Sequence, residues 1–247
     1  MFKPIREDHK NLLKTHGKAI QELELLFSGK VNVYIDFGNV RPWANKLNWH
    51  IDLKRLHRFL SSFDNVQHIK FYYGTLRGDQ ESIDRIEEAK KFGYLTRTKF
   101  VKIFKISIDA SSVGSQSTDI LKNFISPALL RRYDIQTIEY LNKQFSEMNK
   151  RGIYSIEDRK CNFDVEIGRD MTLDLERDGA NTFVLWSGDS DFHDPLNEIL
   201  STGKKVILFA SARLVSSELN DLRKNGLIVF DIKKIRDFIC WKREIKP

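Results

Sequence analysis

The sequence predicts an α/β domain in which a mostly parallel β-sheet carries helices on both faces. Short apolar runs of strand length alternate with amphipathic segments of helix length along most of the 247 residues, and this order is typical of parallel sheets. Hydrophobic side chains make up 41% of the chain, which is enough to bury a core. No apolar run reaches the ~20 residues that a membrane-spanning helix needs.

The first hundred residues predict an N-terminal helix and then alternating strands and helices. Residues 5–27 carry an apolar stripe at helical spacing and end at Ser28-Gly29, so residues 1–30 are expected to form a helical extension. The main domain is expected to span residues 31–247. Its first strands are predicted at 31–36, 66–74 and 99–108, and the helices between them at 52–62 and 79–93.

The alternation stops near residue 107 and resumes near residue 160. We predict a helical insertion at about 107–159. This part of the chain has a Ser- and Gly-rich stretch, then helical segments around Pro127, and then a polar link. Two roles for it stay open, namely covering an active site or making the contact of a homo-oligomer. The later elements are predicted as helices at 164–177, 195–202 and 215–224, strands at 182–186, 204–210 and 227–231, and a last helix ending at Trp241.

The charge balance favours a polyanionic partner, since the net charge is +7 and the isoelectric point about 9.3. The two cysteines form no CxxC pair, which argues against a cysteine-type zinc site. The charged N-terminus has no apolar signal-peptide core, so a cytoplasmic protein is expected. The basic residues fall into three clusters: Arg41, Lys46, Lys54, Arg55 and Arg58; Arg85, Lys90, Lys91, Arg97, Lys99, Lys102 and Lys105; and Lys233, Lys234, Arg236, Lys242 and Arg243.

Four aspartates are expected to converge at one edge of the sheet. Asp36 closes the first strand, Asp189 and Asp191 follow the TFVLW strand, and Asp164 opens the FDVEIGRDM segment. Ligands of open parallel sheets bind beyond the carboxyl ends of the strands. Two carboxylates about 4 Å apart repel by roughly 4 kcal/mol at an effective dielectric of 20, and oxygen ligands suit Mg²⁺ or Mn²⁺. Helix capping is the competing explanation, and it accounts for Asp194 before Pro195.

Four stretches in this order resemble the NYN domain, a branch of the PIN-like nuclease superfamily: YIDFGNV, KFYYG, KCNFDVEIGRDM and LWSGDSDFHDPLNEILSTGKKVILF. The resemblance covers residues 31–106 and 160–240, and its most specific part is GDSDF followed by PL and Gly-Lys-Lys-Val. The N-terminal helix and the insertion depart from it.

This resemblance implies a Rossmann-like PIN fold and a metal-dependent ribonuclease whose products end in 5′-phosphate and 3′-hydroxyl. It implies that Asp36, Asp164, Asp189 and Asp191 form the catalytic site and hold the Mg²⁺ or Mn²⁺. Asp170 is a further candidate ligand, although six residues along a helix turn it away from Asp164. Residues expected to meet RNA or a metal-bound water are Asn39, Arg41, Trp43, Ser187 and Ser190; DNA is not excluded as a substrate.

Three other functions were weighed. The first is a module on the same fold that binds RNA without cleaving it. This alternative stays open, because only a test for metal-dependent cleavage distinguishes such a module from a nuclease. A haloacid-dehalogenase type of phosphatase is disfavoured because Asp36-Phe37-Gly38 stands where an Asp-x-Asp pair is needed. A dinucleotide enzyme is disfavoured because no GxGxxG follows the first strand.

Overall fold

In the computed structural model the chain divides into two units, and the described residues are 1–4, 7–211 and 214–241. Unit 1 is Met1–Phe100 with Cys161–Pro247, and unit 2 is Val101–Lys160. Four positions used in the sequence predictions lie outside the described residues: Ile5, the side chain of Lys46, Lys242 and Arg243.

The strands of the described residues are, in chain order, β1 (Val31–Asp36), β2 (Val66–Tyr72), β3 (Leu95–Arg97), β4 (Lys102–Ser107), β5 (Ser155–Lys160), β6 (Thr182–Trp186), β7 (Lys205–Ala210) and β8 (Ile228–Asp231). The helices are α1 (Glu7–Leu26), α2 (Phe37–Val40), α3 (Trp43–Leu47), α4 (Leu53–Leu60), α5 (Gln80–Phe92), α6 (Pro127–Leu130), α7 (Ile135–Lys150), α8 (Asp164–Glu176), α9 (His193–Ser201), α10 (Ser217–Asp221) and α11 (Arg236–Ile239). In this part of the chain, no helix combines the length and the apolar character needed to cross a membrane.

Unit 1 is built on a six-stranded sheet in the order β3-β2-β1-β6-β7-β8. Every neighbouring pair in this sheet is parallel. β1 and β6 are buried along their whole length, as expected for central strands covered on both sides. The predicted α/β fold with a parallel sheet is therefore confirmed.

Helices cover both faces of this sheet. Successive residues of a strand point to opposite faces: Lys70 and Tyr72 of β2 contact α8, whereas Phe71 packs against Phe37 and Tyr94. The N-terminal helix α1 buries Ile20 and Leu23 in the core of the same unit. The extension predicted at residues 1–30 thus contributes to unit 1.

The third strand of the sheet differs from its prediction. The strand expected at 99–108 is β4, which pairs antiparallel with β5 outside the six-stranded sheet. The third strand of the sheet is the short β3, which pairs with Lys70–Tyr72 of β2. Alternating apolar residues predict a strand but not its partner, and here the partner lies in a polar stretch predicted as a link.

Unit 2 holds β4, β5, α6 and α7, and spans nearly the residues predicted as an insertion. Two buried asparagines of α7 tie its loop to the helix. Asn149 accepts a hydrogen bond from the Ala110 N–H (2.8 Å) and donates to the Ile108 carbonyl (3.1 Å). Asn142 donates to two carbonyls, those of Ser115 and Ser117. These contacts hold the loop against α7, where Ile108, Ala110 and Ile120 form a small buried cluster.

Candidate metal centre

The topology of the sheet brings together the two strand ends that carry acids. β1 and β6 are central neighbours, in register from Val31 with Thr182 to Ile35 with Trp186. The chain leaves β1 towards β2 on one side and leaves β6 towards β7 on the other. The crevice between them is a topological switch point, where open parallel sheets bind their ligands.

Three carboxylates meet at this point. Asp164 is the first residue of α8, Asp189 caps the turn Ser190–Phe192 that follows β6, and Asp191 lies within that turn. One oxygen from each lies within 4.8 Å of the others, and Asp191 is the most exposed of the three. At that distance a pair of charges repels by roughly 3 kcal/mol at an effective dielectric of 20. We call these residues the acid triad.

Asp36 lies beside the acid triad and is not part of the group within 4.8 Å. Its side chain is 6% exposed and accepts hydrogen bonds from the Asn39 N–H and the Ser187 hydroxyl, both at 3.3 Å. Burial raises the pKa of Asp36 to about 6, against the effect of these two donors, and the charge of Asp189 raises it further. The predicted convergence of four acids is therefore three acids in one group, with the fourth adjacent to it.

The donor set fits a divalent cation. Asp164 Oδ1 is buried, and no described residue donates a hydrogen bond to it. Burial raises the pKa of Asp164 to about 7, and the charges of Asp189 and Asp36 act in the same direction. Among the described residues, no lysine or arginine forms an ion pair with the acid triad or Asp36. A bound Mg²⁺ or Mn²⁺ would satisfy the unpartnered oxygen and offset the repulsion.

Helix α8 is fixed to the sheet by Asp174, nearly three turns beyond Asp164. Its Oδ2 accepts hydrogen bonds from Asn32 (2.7 Å), Tyr34 (2.5 Å) and Lys70 (2.7 Å). Burial alone would raise the pKa of Asp174, but the bonds from Lys70 and Tyr34 outweigh it, so the pKa lies below its usual value. Asp174 is thus a charged anchor that holds α8 in place.

Asp170 is a second anchor of α8. It is 3% exposed, its Oδ2 accepts a hydrogen bond from Tyr72 (2.7 Å), and the same oxygen pairs with Arg97 Nε (2.7 Å). The proposed ligand role of Asp170 does not fit these contacts, because its carboxylate is already neutralised away from the acid triad. Sequence reasoning missed these anchors; the signal was the row of polar side chains at alternate strand positions: Asn32, Tyr34, Lys70 and Tyr72.

The loop after β6 is held by a close backbone approach at Gly188. A Cβ at this position would lie 1.9 Å from the Leu214 carbonyl oxygen and 3.3 Å from the Trp43 ring. The Gly188 N–H donates to the Asn39 side chain, and the Gly188 carbonyl accepts from Ser216. Only glycine fits between these groups, so this residue sets where Asp189 leaves the strand.

Two of the residues predicted to contact RNA are buried here, Ser187 within this loop and Trp43 of α3 packed against it. Ser187 is fully buried, and its hydroxyl joins Asp36 to the Asp189 N–H. Trp43 is 6% exposed and packs against Gly188. Direct contact with a substrate does not fit either buried side chain; Ser187 bonds to the acids, and Trp43 packs beside the glycine that precedes Asp189. Burial of these side chains depends on the loop packing, which residue type alone does not indicate.

The other three residues lie closer to solvent. Asn39 is half-buried and links α2 to the Gly188 N–H. Ser190 is half-buried in the turn between Asp189 and Asp191. Arg41 is exposed, pairs with Glu81 (2.9 Å) and donates a hydrogen bond to the Tyr73 hydroxyl. These three side chains therefore border the site without being enclosed in it.

A solved structure from Vibrio parahaemolyticus, of a protein of unknown function, is similar to this chain. The similarity has a TM-score of 0.50 at 17% sequence identity, and covers 86% of this chain and 96% of that chain. At this identity the likeness shows the fold alone. The comparison with curated proteins finds no match.

The family model of the NYN domain matches residues 106–231, which is a little over half of the chain. The matched range contains the whole acid triad, runs through the residues predicted as an insertion, and begins after Asp36. The six parallel strands and their flanking helices agree with this match. The chain therefore belongs to the NYN domain family, whose fold is of the PIN-like nuclease type.

Proposed function

We propose that the protein is a metal-dependent ribonuclease that hydrolyses phosphodiester bonds at the acid triad. The observation that carries the proposal is the meeting of Asp164, Asp189 and Asp191 at the switch point, with Asp164 Oδ1 buried and unpartnered among the described residues. Membership of the NYN domain family supports the nuclease class. The net charge of +7 supports an anionic substrate.

The acid triad would hold the Mg²⁺ or Mn²⁺, and Asp36 is proposed as the fourth acid of the site. Such a cation, when bound, supplies positive charge for the phosphate and lowers the pKa of a water molecule. Asp36 accepts two hydrogen bonds, which leave its carboxylate in one orientation beside Asp189. With a pKa of about 6, Asp36 is a better proton acceptor at neutral pH than an ordinary aspartate.

The substrate side of the site is proposed to include Arg41, Asn39 and Ser190. Arg41 is five residues from Asp36 and presents a guanidinium that forms bidentate bonds to phosphate. Asn39 and Ser190 offer neutral donors next to the acids. RNA is the proposed substrate, and DNA is tested beside it.

The cytoplasmic location and the formation of a homo-oligomer remain predictions from the sequence.

The test is cleavage of end-labelled single-stranded RNA and DNA in Mn²⁺, Mg²⁺ or EDTA. We expect RNA products with 5′-phosphate ends in Mn²⁺ or Mg²⁺ and none in EDTA. Asp189→Asn should abolish cleavage and reduce the rise in melting temperature that Mn²⁺ produces. The matched control is Asp194→Asn, because Asp194 is a 97% exposed carboxylate five residues further on, and this variant should cleave normally.

Two outcomes would change the conclusion. Equal cleavage by wild type and Asp189→Asn would overturn the assignment of the acid triad. Tight RNA binding without cleavage in any metal would show that the protein is the non-cleaving RNA-binding module instead.

A further inference from the structure

A cleft of about 770 Å³ opens in unit 1 next to Asp36. Its lining includes Gly38, Arg41, His50, Tyr73, Arg85 and Trp241. Gly38 touches both regions, because a Cβ at this position would lie 3.6 Å from Asp36 Oδ1. Pockets that enclose small organic groups commonly span ~300–1,000 Å³. The cleft is therefore large enough for a nucleobase, and its Gly38 wall lies beside Asp36.

Trp241 presents an exposed aromatic ring to this cleft, and its backbone is held by two contacts. The backbone N–H of Trp241 donates to the His50 carbonyl (3.0 Å). The neighbouring residue, Cys240, forms an antiparallel backbone β-bridge with Ile51. The Trp241 side chain is 67% exposed, whereas Trp43, Trp49 and Trp186 are at most 6% exposed. A large ring that is anchored and left in water provides a stacking surface at little entropic cost.

Among the described residues, the two arginines that line the cleft share a single acid as their ion-pair partner. Arg41 and Arg85 both pair with the same carboxylate, Glu81, each at 2.9 Å. One acid therefore serves two guanidinium groups. The Nε of Arg85 is buried, and no described residue accepts a hydrogen bond from it. An anionic group bound here would use the excess charge that Glu81 leaves.

We propose that this cleft binds one unpaired nucleobase of the RNA strand whose phosphate lies at the acid triad. The base stacks on Trp241, and Arg41 and Arg85 face the adjoining phosphate. A base held in a duplex is already stacked and paired, so the cleft selects single-stranded RNA. This inference rests on the proposed function, because it gives the same site its substrate class.

The fluorescence of Trp241 tests the proposal directly. In EDTA, where no cleavage is expected, a titration with oligouridylate should quench the emission of the exposed tryptophan. Trp241→Ala should remove this quenching and, by anisotropy of labelled oligouridylate, raise the Kd about 5- to 150-fold. Trp241→Phe keeps a stacking ring and should restore most of the affinity. The matched control is Tyr140→Ala, which removes a 62% exposed aromatic ring from α7 and should leave the Kd unchanged.

A second probe separates stacking from a change in fold. An otherwise identical oligonucleotide with abasic positions should bind wild type and Trp241→Ala equally, because it has no base to stack. An unchanged Kd of Trp241→Ala for oligouridylate, or an equal loss with the abasic strand, would overturn the proposal. Cleavage is measured separately: RNA binding that depends on Trp241 in a protein that never cleaves would refute the nuclease and leave the cleft standing. If wild type and Trp241→Ala cleave RNA equally well, the base-binding role of the cleft would be refuted and the nuclease assignment would stand.

Discussion

Replacing Asp36 with asparagine should stabilise the metal-free protein while abolishing its activity. Burial raises the pKa of Asp36 from its ordinary value of 3.8 to about 6, so ionising this carboxyl costs the folded state free energy. At 1.36 kcal/mol per pKa unit, the cost approaches 3 kcal/mol at pH 8. In the variant, the asparagine side-chain oxygen would still accept from the Asn39 N–H. Its side-chain NH2 group would donate to the Ser187 hydroxyl oxygen, which in wild type donates to Asp36, so the loop geometry should persist.

The sign of this effect follows from proton binding. Between the unfolded and folded pKa values the folded protein binds the extra proton, so wild-type stability falls as the pH rises through 6. The advantage of Asp36→Asn should therefore be largest at pH 8 and shrink towards pH 4. For a chain of this length each kcal/mol shifts the melting temperature by roughly 2–4 °C, which predicts a rise of roughly 6–12 °C at pH 8.

The assay is thermal and urea unfolding of both proteins in EDTA at pH 4, 6 and 8. Asp174→Asn is the control carboxyl, because its pKa is lowered by Lys70 and Tyr34 and its replacement should destabilise the protein. Saturating Mn²⁺ should narrow the gap between wild type and Asp36→Asn, since wild type binds the cation better. A variant less stable than wild type at pH 8, or a gap that does not change with pH, would refute the reasoning.

Three further predictions concern the surroundings of the site. Gly188→Ala should lose at least about 2 kcal/mol of stability and most activity, because its Cβ would lie 1.9 Å from the Leu214 carbonyl oxygen. The control is Gly17→Ala, where nothing lies within 4 Å of a Cβ, and its melting temperature should not fall below that of wild type. Arg41→Gln should weaken RNA binding and flatten its dependence on salt, as measured by anisotropy from 50 to 200 mM salt. Lys70→Met should cost about 1–3 kcal/mol by denaturant unfolding, because it removes a charged partner of Asp174.

Each of these three has an outcome that contradicts it. A Gly188→Ala protein as stable as wild type would mean that the backbone approach is not tight. An unchanged salt slope for Arg41→Gln would mean that the guanidinium stays with Glu81 and does not reach a phosphate. Unchanged stability of Lys70→Met would show that Tyr34 and Asn32 are sufficient partners for Asp174.

The strand ends that carry the acids were predictable because their signals are local. An apolar run that stops at Asp36, and another that stops before Asp189, each define a strand and its carboxyl end within ten residues. The parallel topology then places both ends at one edge of the sheet. Asp164 joins them because its helix begins at the same edge.

The remaining features depend on contacts between distant residues. β4 has the alternation of a sheet strand, yet its partner is β5, some fifty residues later and almost entirely polar. Trp43 is buried against Gly188, a residue far along the chain that the sequence around Trp43 does not reveal. The cleft that includes Trp241 joins residues from both ends of the chain. Pairing and packing of this kind are set by the whole fold and not by a local pattern.

Helix α8 begins at Asp164 and is anchored to the sheet through Asp170 and Asp174. At 1.5 Å per residue, Asp174 lies about 15 Å along the helix from Asp164. A small tilt of α8 about Asp174 therefore moves the Asp164 carboxylate by a larger distance. A screen that scores only RNA degradation should thus recover substitutions at Tyr72 and Lys70 together with the acids. If the protein has the proposed ribonuclease activity, such variants should cleave slowly and bind RNA with ordinary affinity, because the substitution moves a carboxylate and leaves the proposed RNA-binding side chains in place.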